Sequence, residues 1–570
     1  MKLINKFGIG TLALAFTLSA CTKDFEELNT RPDVSDNVPP ELLITSAVKS
    51  VVDRDFEWFY DNYQYLMRWT QFATATPTAS TGGLFSPTNT NSFYKALYGD
   101  GEKAIGRNLS EIQRLVAAMP EAQRTRYQHV VSIATVIKVY AAWRVADANG
   151  SIVYTEGWKA KDGLFTPKYD NQAALFATWD KELKDAIGLL AQDLPNQATY
   201  GGGDIFYSGN RGKWAKAANV LRLKIAMRLL KRDQEKVRAI AQEVIASPAG
   251  LFTAVEEEWK FIAAENSFAN DGNWNVDGSP MVAAKNMIDF MYDNGDPRIR
   301  LFFQKNQYTQ KTIDSLKKLG ILPASTVYNP RQYVGLPASP DARQVAANAP
   351  LYATKEYKVK VDGKDLTVRF DTLSPLQKRL FDLSKDNISG GQYTQPILTY
   401  AELCFMMSEL SVRGIIAQDA QGWFNKGVTA SVKSYDRMAA IAKVKDYEAV
   451  NDQEIQAYLA KPVNQLSGST DNMLEKIGVQ ELINLFKMPH EAWGTYKRTG
   501  YPKEGGQVLA FEPFYTNGIK VNVPRRWSLP LPNIENRPNF EAAVKEMQQT
   551  GEYGSGIEDI NNGRVWWDKR

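Results

Sequence analysis

The stretch EAQRTRYQHVVSIATVIKVYAAWRVA, residues 121–146, carries the strongest structural pattern in the chain. Val130, Ile133, Ile137 and Ala141 recur at intervals of three or four residues, which places them on one face of a helix. On both sides of this stretch, the same periodicity predicts helix pairs of about 34 residues each, which are typical of tetratricopeptide-like packing. The predicted pairs span residues 41–53 with 56–72, 91–119 with 121–146, 171–190 with 211–231, 397–413 with 418–437, and 452–460 with 472–488. The predicted fold class is all-α, and a generic helical bundle is the alternative that periodicity leaves open.

Two regions lack this periodicity. Residues 251–392 are rich in loop-forming side chains and are predicted to be an insertion between the repeat regions 41–250 and 393–490. Inside it, 357–361 and 366–370 flank Asp362-Gly363, which predicts a small β-hairpin. Residues 500–570 are rich in proline and are predicted to be an irregular tail. We therefore expect one domain over residues 41–570.

The N-terminus has the layout of a secretory signal peptide over residues 1–20. Lys2 and Lys6 precede a short apolar segment, 7–18, and Leu18-Ser19-Ala20-Cys21 matches the lipobox of bacterial lipoproteins. The apolar segment is shorter than the roughly 20 residues of a membrane span. We predict lipidation of Cys21 and a polar tether over residues 21–40, with an ordinary signal peptide and a chance cysteine as the alternative.

Composition excludes several classes of function. A formal charge of +4 over 570 residues, without a basic stripe, disfavours nucleic acid as a partner. The chain has only two cysteines and two histidines, so a clustered metal site or a catalytic triad is not expected. No nucleophile elbow, P-loop or zinc-protease motif occurs. A glycoside hydrolase stays open as the alternative, because two carboxylates distant in sequence suffice for that chemistry.

Short strings across the chain resemble the SusD/RagB family of outer-membrane nutrient-binding lipoproteins, closest to its RagB-like SusD subgroup. They are FEELN (25–29) with Pro32, DANGSIVYTE (147–156), DIFYSG (204–209) with KWAKAAN (213–219), DPR (296–298), PILTYAELCFMMSELSVRG (396–414), EAW (491–493) with RTGYP (498–502), and PRR (524–526). Val153 departs from the family motif, which has proline before Tyr154.

The resemblance implies a SusD-like helical fold with an irregular excursion, at the cell surface and anchored to the outer membrane by lipid. It also implies a role in binding rather than catalysis. Such proteins cover a TonB-dependent transporter of the SusC type, capture oligosaccharides, or peptides in some members, and deliver them for uptake.

Most of these strings also have an architectural interpretation. Asp147 to Gly150 is predicted to end a helix, and Asp296 is predicted to cap the start of another. Glu409 and Arg413 are spaced for a favourable helical ion pair, worth about 0.3 kcal/mol if exposed. A pair of catalytic carboxylates on the same helix is the alternative. Cys404 is predicted to be a buried apolar residue, and His490 a cap or packing residue.

Glycan binding needs aromatic faces for sugar rings and amide groups for hydroxyls. Two polar segments combine them, residues 74–100 and 266–279. The candidate ligand residues, chosen by position rather than by motif, are Phe85, Asn91, Tyr94, Tyr98, Asn273, Trp274 and Asn275. The spacing of Tyr94 and Tyr98 also fits core packing. No cofactor is expected, although Asp271, Asp277, Asp293 and Asp296 could offer oxygen ligands to a structural calcium ion.

Overall fold

Helices dominate the computed structural model, as the sequence predicts. It describes residues 39–52, 57–76, 91–99, 104–265, 281–352, 356–361, 363–369, 372–550 and 552–570. The helices are α1 Ile44–Val52, α2 Met67–Trp69, α3 Ser92–Tyr98, α4 Ile105–Ala117, α5 Glu121–Arg124, α6 Gln128–Asn149, α7 Gln172–Leu190, α8 Arg211–Met227, α9 Gln234–Ala246, α10 Lys285–Asp293, α11 Ile299–Phe302, α12 Gln310–Lys318, α13 Ala349–Tyr352, α14 Tyr400–Val412, α15 Ala420–Ala442, α16 Asp452–Leu459, α17 Thr470–Asn484, α18 Pro489–Thr499 and α19 Arg537–Gln549. A π-helical stretch, Glu57–Leu66, precedes α2.

Helix α6 forms the centre of the N-terminal half. Nearly all of its residues are buried, including Val130, Ile133, Ile137 and Ala141. The stretch Glu121–Asn149 is the one helical segment, among the described residues, that is long and apolar enough to cross a membrane. Because most of it is buried inside the protein, its apolar character reflects a core helix.

Successive helices pack side by side in chain order, α6 against α7, α7 against α8, and α8 against α9. Side-chain caps set where they begin. Asn171, Asn210 and Asp233 each accept a backbone N–H at the start of α7, α8 and α9. Two predicted pairs of this half are found, 91–119 with 121–146 as α4 against α6 and 171–190 with 211–231 as α7 against α8, although 91–119 is divided into α3 and α4. The predicted pair 41–53 with 56–72 is wrong, because α1 packs mainly against α4.

The C-terminal repeat region is built around α14, which packs against α15 and α17. Thr399 and Glu402 form a capping box at the start of α14, and Gly414 follows its end with a φ of +67°. At Gly427 in α15, an added Cβ would lie 2.7 Å from the Phe405 ring. The small residue thus allows α14 and α15 to approach closely.

Five two-stranded sheets complete the described fold. The strands are β1 Ala73–Ala75, β2 Trp259–Ala264, β3 Met281–Ala283, β4 Glu356–Val361, β5 Lys364–Arg369, β6 Gln392–Leu398, β7 Lys503–Glu504, β8 Ala510–Phe511, β9 Phe514–Thr516 and β10 Ile519–Val521. The pair β4–β5 is antiparallel and confirms the predicted hairpin. The pairs β1–β3 and β2–β6 join segments distant in sequence and were not predicted.

Four sequence-based assignments need correction. The predicted helix over 397–413 begins only at Tyr400, because Pro396 lies in strand β6 and Thr399 caps the helix. The insertion 251–392 contains the helices α10 to α13, and the tail 500–570 contains α19. Helix α11 starts at Ile299 rather than next to Asp296, since the Asp296 carboxylate binds the N–H and guanidinium of Arg298 instead.

Candidate functional site

The predicted ligand residues divide into two groups. Phe85, Asn273, Trp274 and Asn275 lie outside the described residues, as do Cys21, Asp271 and Asp277. Asn91, Tyr94 and Tyr98 are described, at the start of α3 and along it.

The strands β1 and β3 bring the two predicted ligand segments together. The pair is antiparallel, with Ala75 opposite Met281 and Ala73 opposite Ala283. Strand β1 therefore ends where β3 begins. The chain leaves β1 into the first predicted segment and enters β3 from the second one. Both segments meet the described fold at this edge, which we call the β1–β3 edge.

Backbone hydrogen bonds join the β1–β3 pair to neighbouring segments. The Ala284 N–H donates to the Phe72 carbonyl at 3.2 Å, and the Ala283 N–H donates to the Ser374 carbonyl at 2.9 Å. Gly335 lies so close that a Cβ there would be 2.6 Å from the Ala283 carbonyl oxygen. A site on this edge would rest on elements fixed from both sides, as precise binding requires.

Helix α3 ties the end of the first segment to the DANGSIVYTE motif. Asn91 adopts a left-handed backbone conformation with a φ of +48°, and its side-chain oxygen accepts a 3.2 Å hydrogen bond from the Asn149 amide. The Tyr98 hydroxyl donates to the Val153 carbonyl at 2.5 Å. These contacts with the motif hold α3, where the chain re-enters the described fold after the first predicted segment.

The rings of α3 make packing contacts. Tyr94 and Tyr98 have centroids 4.5 Å apart, and Tyr98 stacks on Trp158 at 5.4 Å with an interplanar angle of 12°. Burial raises the pKa of the Tyr98 hydroxyl well above its usual range. These contacts match the packing interpretation of the tyrosine spacing. Contact of either ring with a ligand stays a prediction.

Acidic residues from three distant family strings meet Lys224 and Arg228 in a buried ionic cluster. The Lys224 Nζ lies 2.6 Å from the Glu402 carboxylate and 3.0 Å from that of Glu491, and Arg228 binds Asp147 at 2.8 Å. All five side chains are buried. Burial alone would lower the pKa of Lys224, but the two carboxylates outweigh that effect and raise it. We call these five residues the motif cluster.

A second buried group involves the carboxylates considered for catalysis. Glu409 binds Arg498 at 2.5 Å and Arg413 at 2.8 Å, and Glu481 binds Arg498 at 3.0 Å. Glu409 is 1% exposed, so its pair with Arg413 is not a surface pair as the helical spacing alone suggested. Because Glu409 and Glu481 both face Arg498 in the interior, this arrangement stabilises packing and offers no path to a substrate.

The other residues singled out from the sequence have partners as well. Cys404 is buried as predicted, and His490 lies in the first turn of α18, where its Nδ1 is 2.9 Å from the Asn62 side-chain oxygen. Asp296 binds Arg298 at 2.7 Å, and Asp293 lies 3.5 Å from Arg331. Within the described ranges, no group of three or more His, Cys, Asp or Glu side chains is placed to hold a metal ion. A calcium ion stays an untested expectation.

Sequence reasoning missed a polar groove near the C-terminus, of about 320 Å³. Its walls come from α18, from residues 504–525 and from residues 561–570, and no local motif signals their meeting. We call it the C-terminal groove and define it by Tyr496, Phe511, Asn522, Arg525, Arg564 and Arg570.

Solved structures resemble this fold closely at low sequence identity. A chitin-binding protein superposes with a TM-score of 0.68 at 21% identity, covering 93% of this chain and 100% of its own. A SusD homologue from Bacteroides fragilis gives 0.67 at 20% identity, with 93% and 100% covered. A chitin-binding SusD homologue from Flavobacterium johnsoniae gives 0.62 at 18% identity, with 93% and 98% covered. These likenesses establish the shared fold.

The sequence comparisons agree with the fold. No curated protein matches the sequence. The model of the SusD-like family, described as starch-binding and associating with the outer membrane, matches residues 32–327 and 348–530. With most of the chain matched, this protein belongs to the SusD-like family.

Proposed function

We propose that this protein is a cell-surface lipoprotein that captures oligosaccharides and delivers them to a SusC-like TonB-dependent transporter. The observation that carries the proposal is the pairing of β1 with β3, with Ala75 opposite Met281. It joins the bases of the two segments that hold the candidate aromatic and amide residues. Membership of a family described as starch-binding, and fold neighbours described as chitin-binding, support a glycan as the ligand.

The membrane attachment is proposed through Cys21. A diacylated cysteine anchors a protein stably, because two acyl chains together bury enough methylene groups at about 0.8 kcal/mol each. Metabolic labelling with palmitate tests it: the wild type takes up label, and Cys21→Ala takes up none. Label on Cys21→Ala would contradict the assignment.

Binding without cleavage is the second part of the proposal. The paired carboxylates on α14 and α17 are buried against arginines, which supports a role in packing for them. Glycosidase chemistry needs two carboxyl groups flanking an accessible bond. A hydrolase is therefore the alternative that the experiment must separate.

Calorimetric titration of the purified protein with chito- and malto-oligosaccharides of four to seven units tests the function. We expect saturable binding and no new reducing ends after prolonged incubation. A parallel set of peptides of matched length serves as the comparison. Binding of peptides alone, or release of reducing ends, would contradict the proposal.

A further inference from the structure

The C-terminal groove carries an excess of positive charge. The Arg525 guanidinium donates to the Asp568 carboxylate at 2.9 and 2.6 Å, and Arg564 reaches the same carboxylate at 3.4 Å. Arg570 lines the groove and forms no ion pair with any residue in the described part of the chain. One fully buried carboxylate is thus shared by two of the three arginines.

The other acidic groups at the groove are already engaged. Glu504 pairs with Lys520 at 2.6 Å. The Glu512 carboxylate accepts the Ala338 N–H at 2.5 Å, and burial raises its pKa. Neither group neutralises the guanidinium groups of the groove.

The arginines also repel one another. Burial lowers the pKa of Arg564, and the charges of Arg525 and Arg570 lower it further, against the opposing effect of Asp568. Burial is the largest cause of this shift, and the two neighbouring guanidinium groups add to it. An anion entering the groove would relieve this repulsion.

Aromatic and amide residues form the remaining walls. Tyr496 and Phe511 stack on each other at 5.9 Å, Phe511 is buried, and Arg525 lies over the Tyr496 ring. Asn522 and Asn561 also line the groove. A volume of about 320 Å³ lies at the lower end of the roughly 300–1,000 Å³ of small-molecule sites. The guanidinium fork matches the geometry of a planar carboxylate.

The groove is attached to the same strand pair as the predicted ligand segments. The Gln71 side chain bonds both backbone groups of Glu512, at 2.7 and 3.0 Å, and Gln71 precedes β1 by two residues. Ala75 lies four positions after Gln71, so the groove and the β1–β3 edge are at most about 14 Å apart along the chain.

We propose that the C-terminal groove binds the carboxylate of an acidic sugar unit, such as a uronic acid, within a captured oligosaccharide. The inference rests on the proposed function in that the ligand is a glycan. It goes further by naming an anionic class of sugar and the residues that select it.

The test compares tetragalacturonate with its methyl ester, which has the same rings and no charge. We expect the ester to bind at least about tenfold more weakly, because charge-assisted hydrogen bonds to arginine are lost. We also expect the affinity for tetragalacturonate to fall as salt rises, since screening weakens exposed charge pairs. Equal affinity for acid and ester would overturn the inference.

Variants locate the site. Arg564→Gln and Arg570→Gln should each weaken tetragalacturonate binding by about five- to tenfold. Arg124→Gln, which removes an exposed arginine on α5, is the matched control and should bind as the wild type does. Circular dichroism checks folding, and Arg570→Gln keeps the test valid if Arg564→Gln misfolds. Unchanged binding by a folded Arg564→Gln variant would overturn the inference.

Competition identifies the source of the acid group. Galacturonate monomer should displace the tetramer, whereas inorganic sulfate or an acidic peptide of equal charge should not. Displacement by sulfate at equal potency would replace the inference with a general oxyanion site. If neutral chito-oligosaccharides fail to bind while tetragalacturonate binds in an Arg564-dependent way, the neutral ligand of the proposed function fails and this inference stands.

Discussion

The motif cluster and the β1–β3 edge differ in whether the family strings contribute to them. In the motif cluster, Asp147, Glu402 and Glu491 come from three separate family strings and meet in the interior, where Lys224 and Arg228 neutralise them. At the β1–β3 edge, the strands Ala73–Ala75 and Met281–Ala283 carry no family string at all. The residues of the family strings hold the fold together, whereas the candidate ligand residues lie in segments without a family string.

A family pattern in the sequence thus indicates architecture more directly than it indicates a ligand. Removing one partner of a buried ion pair leaves a charge unpaired in the interior, so a chain that keeps the fold must keep both partners or change them together. Residues at an exposed edge carry no such constraint and can vary with the ligand. Membership of the family therefore predicts the interior of this protein more closely than its specificity.

The largest expected effect comes from breaking the motif cluster. Lys224→Met keeps the side chain long and apolar but leaves the buried Glu402 carboxylate without its cation and Glu491 with Arg228 at 3.7 Å. We expect the free energy of unfolding to fall by about 3–5 kcal/mol, as measured by chemical denaturation.

The control for this prediction is a surface pair of the same type. Lys181 and Asp185 lie 2.6 Å apart with side chains 78% and 62% exposed. Lys181→Met should change stability by about 0.5 kcal/mol or less. If Lys224→Met costs no more than Lys181→Met, the motif cluster does not stabilise the interior as described.

The next effect concerns the packing of the same interior. Gly427→Ala would place a Cβ 2.7 Å from the Phe405 ring and should cost about 1–3 kcal/mol. Gly188 is also inside a helix, but no atom lies within 4 Å of its Cβ position. Gly188→Ala should therefore stabilise by about 0.5–1 kcal/mol. Thermal unfolding of both variants checks the sign, and two effects of equal sign would contradict this account of the helix contact.

The longest helices could be predicted because periodicity and caps are local features of the sequence. Val130, Ile133 and Ile137 follow the helical period in α6, and all three are buried. The β4–β5 hairpin was equally local, since Asp362-Gly363 separates its strands. No local sequence pattern signals contacts between distant segments, so the β1–β3 pair and the C-terminal groove could not be predicted.

The candidate site was only partly predictable for the same reason. Ring-and-amide composition selected the segments 74–100 and 266–279, but their convergence depends on the pairing of Ala75 with Met281, which neither segment encodes alone. The arginines of the groove come from two stretches about 40 residues apart, and Asp568 joins them only in the fold.

The β1–β3 edge has its own test, which should separate binding from stability. Trp274→Ala should weaken oligosaccharide binding about tenfold, or about 1.4 kcal/mol, if the indole faces the sugar. The same variant should change the free energy of unfolding by about 0.5 kcal/mol or less, as expected of a surface site. Trp423→Ala, at a half-buried tryptophan on α15, controls for the loss of an indole. Unchanged affinity in Trp274→Ala would remove Trp274 from the site.

The smallest effect, taken per pH unit, uses pH to probe the interior alone. Burial raises the pKa of Glu481 to about 7, against the opposing charge of Arg498. Between a pKa near 4.5 in the unfolded chain and about 7 in the folded one, the folded state holds a proton that the unfolded state has lost. Stability should therefore fall as pH rises through this window, by on the order of 1 kcal/mol per pH unit.

Glu481→Gln removes the titrating group and should flatten the slope, as followed by denaturation at pH 5, 6 and 7. Glu409→Gln is the contrasting variant. Burial alone would raise the pKa of Glu409, but Arg498 and Arg413 outweigh that effect and lower it. Glu409 is therefore charged over the whole pH window. A slope that survives in Glu481→Gln would mean that another group of the interior takes up the proton.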